Sequence, residues 1–271
     1  MKSSKELTAP QPHKVIKEMS LFLGKFEAQP NNEGWVFKKN LPNEDGYIRV
    51  ASRKKVNAHD GKIFDFVMSS LFAQHYYEFK GKLKDFRSID TDKAYSDITI
   101  DMSEVNAFRG IKNSKQNRNT IFESLENMVG MTVEMKQGKK YLIYSVLTSI
   151  KVDEVNPNIL YVKVNEEINE AFHKAGLRPI NVERALSLRS DIAVEFTKFL
   201  QVRGRGIIRN EPIPPDMFEH DDVVYFLHLE HLNEVQQLKA IRRATIAVGA
   251  QGFATYKMKR FSNKIKWLKD Y

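Results

Sequence analysis

The sequence predicts an α+β protein made of two tandem winged-helix domains, each a helix-turn-helix followed by a β-hairpin wing. Three observations predict it. A short helix, a Gly-containing turn and a longer helix with a polar, basic start run from Ser103 to Met128. Two strand-like runs joined by a basic loop follow at once, Met131 to Val146. The same order of elements then recurs between Ser187 and Tyr271.

Composition sets the bounds. A chain of 271 residues with 42% hydrophobic and 11% aromatic residues can fill one large core or two of ordinary size. Lys and Arg outnumber Asp and Glu by 43 to 34, giving +9 and a pI near 9.4. That excess favours polyanions, because each phosphate neutralised releases a condensed counterion. No stretch approaches the ~20 apolar residues of a spanning helix. Met1 to Lys17 is polar where a secretory signal needs an apolar run, so a cytoplasmic protein with no membrane partner is expected. With no cysteine, disulfide frameworks, thiolate zinc sites and cysteine nucleophiles are excluded. His231 to Tyr271 carries nine Lys or Arg against Glu234 and Asp270. Arg203 to Glu230 leans the other way, with Glu211, Asp216, Glu219, Asp221, Asp222 and Glu230. A basic face beside an acidic loop is the asymmetry of an oriented polyanion binder.

The elements can be justified in order. Residues 1–57 read as a leader with one short helix, Lys14 to Phe26, where Val15, Met19, Phe22, Leu23 and Phe26 recur at helical spacing. The first winged-helix domain is expected at 58–180. From Gly61, behind Asp60 as N-cap, Ile63, Phe64, Val67, Met68, Leu71, Phe72 and Tyr76 form one apolar stripe. Ile98 to Met102 alternates like a strand, Ser103 to Phe108 begins a short helix, and Gly110 ends it. Ser114 opens the longer helix, with Ile121, Leu125, Met128 and Val129 turned inward. The wing is Met131 to Met135 and Lys139 to Val146 around Lys136-Gln-Gly-Lys139. A third strand, Asn158 to Val164, leads into an acidic helix, Glu166 to Lys174, closed by Gly176.

The second winged-helix domain is expected at 181–271. Leu188 to Val202 matches Lys62 to Phe79, with Ile192, Phe196, Phe199 and Leu200 facing in. Tyr225 to Leu232 repeats the apolar pattern of Ile98 to Val105, a strand running into a short helix. Arg118 to Met135 sets without gaps against Ile241 to Met258, with Thr132 over Thr255. The second reading helix is then Gln236 to about Gly249, presenting Gln237, Lys239, Arg242, Arg243 and Thr245. Its wing is Tyr256 to Trp267, with Lys257, Lys259, Arg260, Lys264 and Lys266 along it.

These residue types suit duplex DNA. In a major groove Arg pairs with guanine and Asn or Gln with adenine, while Lys and wing residues hold phosphates. In the first domain the candidates are Lys112, Asn113, Lys115, Gln116, Asn117 and Arg118, with Asn119 beside them and Lys136, Lys139 and Lys140 in the wing. In the second they are Gln237, Lys239, Arg242, Arg243, Lys257, Lys259, Arg260 and Lys264. The competing reading is that polar residues simply solvate a helix start. Signatures of catalysis are missing: there is no Gly-x-x-x-x-Gly-Lys-Ser/Thr loop, and Gly204-Arg-Gly206 is too short to cradle phosphates. His228-Leu-Glu-His231 has no third ligand in view, and Asp221-Asp222 and Asp90 with Asp92 sit in loop-like stretches. No catalytic residue, metal or cofactor is expected.

Three segments carry a resemblance to a known family. They are Tyr47-Ile-Arg-Val-Ala-Ser-Arg-Lys-Lys-Val56, Leu160-Tyr-Val-Lys-Val-Asn-Glu-Glu-Ile168 and Arg184-Ala-Leu-Ser-Leu-Arg-Ser-Asp-Ile-Ala-Val-Glu-Phe-Thr-Lys-Phe-Leu200. With the order of elements, they resemble the plasmid replication initiators of the Rep type, especially that of broad-host-range plasmids. The resemblance implies binding to direct repeats of double-stranded DNA at an origin, opening of an adjacent AT-rich segment and loading of the host replication helicase. It also implies a homodimer formed through the first domain that represses its own gene, with monomers initiating. Apart from the resemblance, two other readings stay open: a transcriptional regulator on a promoter palindrome, and an adaptor that contacts proteins.

Overall fold

The computed structural model describes residues 8–10, 27–29, 34–41, 45–78, 96–166, 179–181, 188–204, 206–208, 211–262 and 264–270. Two compact units divide the chain: Gly24–Leu177, and Arg178–Tyr271 together with Met1–Leu23. In chain order the elements begin with β1 (Thr8–Pro10), β2 (Glu27–Ala28), β3 (Trp35–Asn40), β4 (Gly46–Ser52), α1 (Ala58–Glu78) and β5 (Asp97–Asp101). Next come α2 (Met102–Phe108), α3 (Lys115–Val129), β6 (Thr132–Gln137), β7 (Lys140–Ser145), β8 (Leu147–Val152), β9 (Ile159–Val164) and β10 (Pro179–Asn181). The rest are α4 (Asp191–Arg203), β11 (Gly206–Ile208), β12 (Glu211–Ile213), β13 (Met217–Glu219), α5 (His220–Phe226), α6 (Glu234–Ala250), β14 (Thr255–Phe261) and β15 (Lys264–Asp270). The architecture is α+β, and every described strand pair is antiparallel.

In the first unit α1 starts earlier than its apolar stripe suggests, and its cap is Asn57 rather than Asp60. Asn57 Oδ1 accepts from the amides of His59 (2.8 Å) and Asp60 (3.3 Å), and Asp60 Oδ2 accepts from the Asn57 amide (3.0 Å). Asp60 therefore closes a reciprocal box from inside the first turn. Ile63, Phe64, Val67, Met68 and Leu71 are buried as the stripe requires, against α3 and β5.

The main departure from the sequence reading lies before α1. The strands β2, β3 and β4 join β6 and β7 in one sheet, ordered β2-β3-β4-β6-β7. These three strands, read from the sequence as lying in a leader, are thus part of the first unit's sheet, while the helix expected at Lys14 to Phe26 lies outside the described residues. The physical reason is period-two alternation: Phe37, Ile48, Val50, Val133 and Tyr144 face the core, and Lys38, Tyr47, Arg49, Glu134 and Tyr141 face the other way. A second sheet, β5-β9-β8, buries Ile98, Ile100, Leu160, Val162 and Val164. Of the acidic helix expected after β9, only Glu166 is among the described residues.

The second unit is held by an aromatic cluster around Phe218. Its ring meets Phe196, Phe199 and Tyr256 edge-on, with centroids 5.6, 5.7 and 4.8 Å away, and stacks with Trp267. Two polar handles in the cluster are satisfied: Tyr256 donates to the Pro215 carbonyl (2.7 Å), and Trp267 Nε1 donates to His220 Nδ1 (3.4 Å). Strand β13 pairs with β15, which pairs with β14. The N-terminal β1 pairs with β10.

One expectation fails here. Tyr225 to Leu232 is not a strand but the end of α5 and the following turn, where His228 stands at φ 54°. Its alternating apolar residues fit a buried helix end equally well. The strand that precedes the second short helix is β13, further upstream. Helix α4 is buried on more than its expected stripe, for Glu195 and Lys198 are also buried and pair with each other at 2.7 Å. Among the described residues, no helix is long and apolar enough to cross a membrane.

Candidate nucleic-acid interface

Each unit presents a short helix, a turn, a longer helix and a hairpin: α2, α3, β6 and β7 in the first, α5, α6, β14 and β15 in the second. Thr132 and Thr255, which the ungapped alignment sets against each other, are the first residues of β6 and β14.

In the first unit Gly110, at φ 67°, turns the chain out of α2, and Ser114 caps α3 by accepting from the Asn117 amide (3.2 Å). A line of polar contacts fixes this turn. Asn106, 0% exposed, donates to Asn113 Oδ1 (3.2 Å), which also accepts from Arg118 Nη1 (3.4 Å). Arg109 donates to Asn106 Oδ1 (3.3 Å) and to His59 Nδ1 (3.0 Å). Burial, and then the charges of Arg109 and Lys62, push the His59 pKa down to about 4. The neutral ring can accept Arg109's hydrogen bond, and an imidazolium cannot.

The candidate readers of α3 therefore divide. Asn113 holds the turn and positions Arg118, and Asn117 Nδ2 donates to the Lys112 carbonyl (2.6 Å). Lys112, Lys115 and Gln116 are exposed, and their side chains make no bond among the described residues. The β6–β7 hairpin turns at Gly138 and Lys139, with Gly138 at φ 56° as a two-residue hairpin requires. Lys139 is exposed and Lys136 partly buried; Lys140 opens β7, and its side chain lies outside what is described. This hairpin does not stand alone, since β4 pairs along β6 and the Gly138 amide donates to the Asp45 carbonyl (2.8 Å). On its outer face Glu134 accepts from Tyr47, from Tyr141 (3.0 Å) and from Arg49 (3.3 Å). Those bonds, Tyr47's first, hold the Glu134 carboxyl below its ordinary pKa.

In the second unit Asn233 and Gln236 form a capping box at the start of α6 (3.0 and 3.3 Å). Gln237 is committed inward: Nε2 donates to the carbonyls of Leu229 (3.1 Å) and Leu232 (2.9 Å), and Oε1 faces His220 Nε2 at 3.3 Å. Thr245, read from the sequence as presented outward, is buried and donates to the Arg242 carbonyl (2.8 Å). Lys239, Arg242 and Arg243 share the exposed side of α6 and carry no ion pair among the described residues.

The second hairpin is basic but partly compensated. Lys257 pairs with Asp270 (2.9 Å), Lys264 and Lys266 with Glu219 (3.2 and 3.7 Å), and Arg260 with Glu234 on α6. Lys259 has no such partner among the described residues. Exposed pairs of this kind contribute about 0–1 kcal/mol, so phosphates can replace the acids. Beside these cations stand exposed apolar residues that the sequence alone does not single out: Val235 and Ile246 on α6 and Phe261 at the hairpin end. Their signal was an apolar side chain on a face otherwise rich in charge. The His228 and His231 pair lies in the turn between the helices, where His231 Nδ1 contacts the His228 carbonyl (2.9 Å).

No family model matches the chain, and no curated protein does. Solved structures do share its fold. The crystal structure of SeMet derivatives of domain 2 and domain 3 of RctB superposes with a TM-score of 0.60 and 10% identity, over 95% of this chain and 96% of that one. A second crystal structure, of RctB domains 2-3, gives 0.51 at 10% identity, over 94% and 96%. At such identity the likeness is one of fold.

Proposed function

We propose that the chain is a sequence-specific, double-stranded DNA-binding replication initiator with two tandem winged helices, one in each unit. One observation carries the DNA reading. Both copies of the helix-turn-helix-hairpin leave cations exposed on the longer helix or just before it, with no ion pair among the described residues: Lys112 and Lys115 at the first, and Lys239, Arg242 and Arg243 on the second. The fold shared with two successive domains of RctB supports the tandem organisation.

The initiator role rests on the resemblance of Tyr47 to Val56, Leu160 to Ile168 and Arg184 to Leu200 to plasmid initiators. In this reading the protein binds origin direct repeats, promotes opening of neighbouring DNA and brings in the host helicase, with a homodimer as its repressing form. Its role is binding, with no catalytic step and no cofactor. Footprinting of the full chain on DNA flanking its own gene tests this. Protected direct repeats are the expected result. A single protected promoter palindrome would make it a regulator, and no protection would end the DNA reading.

A further inference from the structure

Neither the core nor the charge of the second hairpin accounts for one of its residues. Phe261 ends β14, paired with Lys264 as the last rung before the turn, and is 47% exposed. Strand alternation puts it on the face opposite Tyr256 and Trp267, which enter the core. On its own face stand Lys257, Lys259, Lys264 and Lys266, and Lys266 Nζ lies 6.0 Å from the ring centroid. Arg260, the neighbouring residue, bonds Glu234 in the first turn of α6. The hairpin end and the start of α6 therefore lie at the same end of the unit.

We infer that Phe261 is an apolar wedge for the minor groove of duplex DNA, entering beside the major groove that α6 reads. This rests on the proposed reading of α6. The four lysines of that face, three of them held by Glu219 and Asp270 in exposed pairs that phosphates can displace, suit the phosphates bordering a groove, and α6 beside the hairpin end supplies a second, adjacent contact. A phosphate clamp needs only cations. A benzyl ring has no hydrogen bond to offer and acts by shape, partly unstacking a base step and kinking the duplex. Pyrimidine–purine steps unstack most readily, so the wedge contributes preference for such a step without a polar contact to any base.

The test selects binders for the full chain from a library of duplexes with a randomised core, then measures bending of the selected duplex by energy transfer between end labels. Wild type enriches a pyrimidine–purine step at a fixed distance from the other selected positions and bends the duplex. Phe261→Ala keeps the other positions, loses roughly tenfold in preference at that step and leaves the duplex straighter. Its salt dependence is unchanged, and Phe261→Leu retains the bend. Lys264→Ala does the reverse, keeping the bend while its salt slope falls by about one. If Phe261→Ala selects and bends as wild type does, the wedge is wrong and the DNA reading stands. An effect of Phe261→Ala confined to a single-stranded oligonucleotide would overturn it equally. If wild type enriches no sequence, the DNA reading fails and takes the wedge with it.

Discussion

Gln116 and Gln237 sit near the starts of their helices, carry the same side chain and do different work. Gln237 supplies hydrogen bonds to two backbone carbonyls in the α5–α6 turn, so Gln237→Ala removes that donor and loosens the turn. A urea titration is expected to show about 1–3 kcal/mol of lost stability. Gln116→Ala, on an exposed side chain, should stay within about 0.5 kcal/mol and instead alter base preference in a binding assay. Sequence could not separate the two, because an amide suits both adenine and a backbone carbonyl, and only the folded neighbours decide. The same holds for Asn113 and Asn117, which hold their turn through Asn106, Arg118 and the Lys112 carbonyl. His59 gives a pH prediction at this scale. Its folded pKa of about 4 lies below the ordinary 6.5, so the unfolded chain takes up the proton first as pH falls. The stability it contributes is whole above pH 6.5 and is lost between 6.5 and 4. The loss is at most about 2 kcal/mol, since the ring is partly open to solvent and its interactions are screened. Asp60, raised by burial, acts with the opposite sign, so the difference between wild type and His59→Gln isolates the histidine. Thermal midpoints across this range should fall less steeply in His59→Gln.

Among the elements, the junction of β4 and β6 tests whether the first hairpin is a free wing. A Cβ on Gly46 would lie 2.2 Å from the Lys136 carbonyl oxygen, which is backbone and cannot swing away. Gly46→Ala must therefore part the strands, at an expected cost of about 1–3 kcal/mol in chemical unfolding of the first unit. Gly138→Ala has open space and pays only for its positive φ, about 1 kcal/mol. Equal effects would mean that β4 does not support the hairpin. These strands also mark where the sequence was and was not legible. Helices α3 and α6 announce themselves, through the cap at Ser114 and through Ile241 and Val248 at helical spacing. The hairpins follow from alternation around Gly138 and through Tyr256 and Trp267. By contrast, β3 and β4 alternate too, but they sit among Pro, Asn and Lys residues. Their partner β6 is remote in sequence, so nothing local gives the pairing. Tyr225 to Leu232 misled for the opposite reason, since a short apolar run fits a strand and a buried helix end alike.

For the molecule as a whole, the proposed function has two similar units acting on one duplex. The exposed candidate cations that make no ion pair among the described residues divide between them. Lys112, Lys115 and Lys139 belong to the first unit, and Lys239, Arg242, Arg243 and Lys259 to the second. The second unit also has acids at Glu219, Glu234 and Asp270, which phosphates must displace from its hairpin. Both units should therefore add to the salt dependence of binding, each by nearly one unit of slope per phosphate held. The most direct measurement is a hydroxyl-radical footprint of the full chain on its selected duplex, repeated with Lys115→Ala/Gln116→Ala and with Arg242→Ala/Arg243→Ala. Two separate windows of protection are predicted, with one weakened by the first pair of substitutions and the other by the second. A single window, or two windows that respond alike to both pairs, would contradict the account.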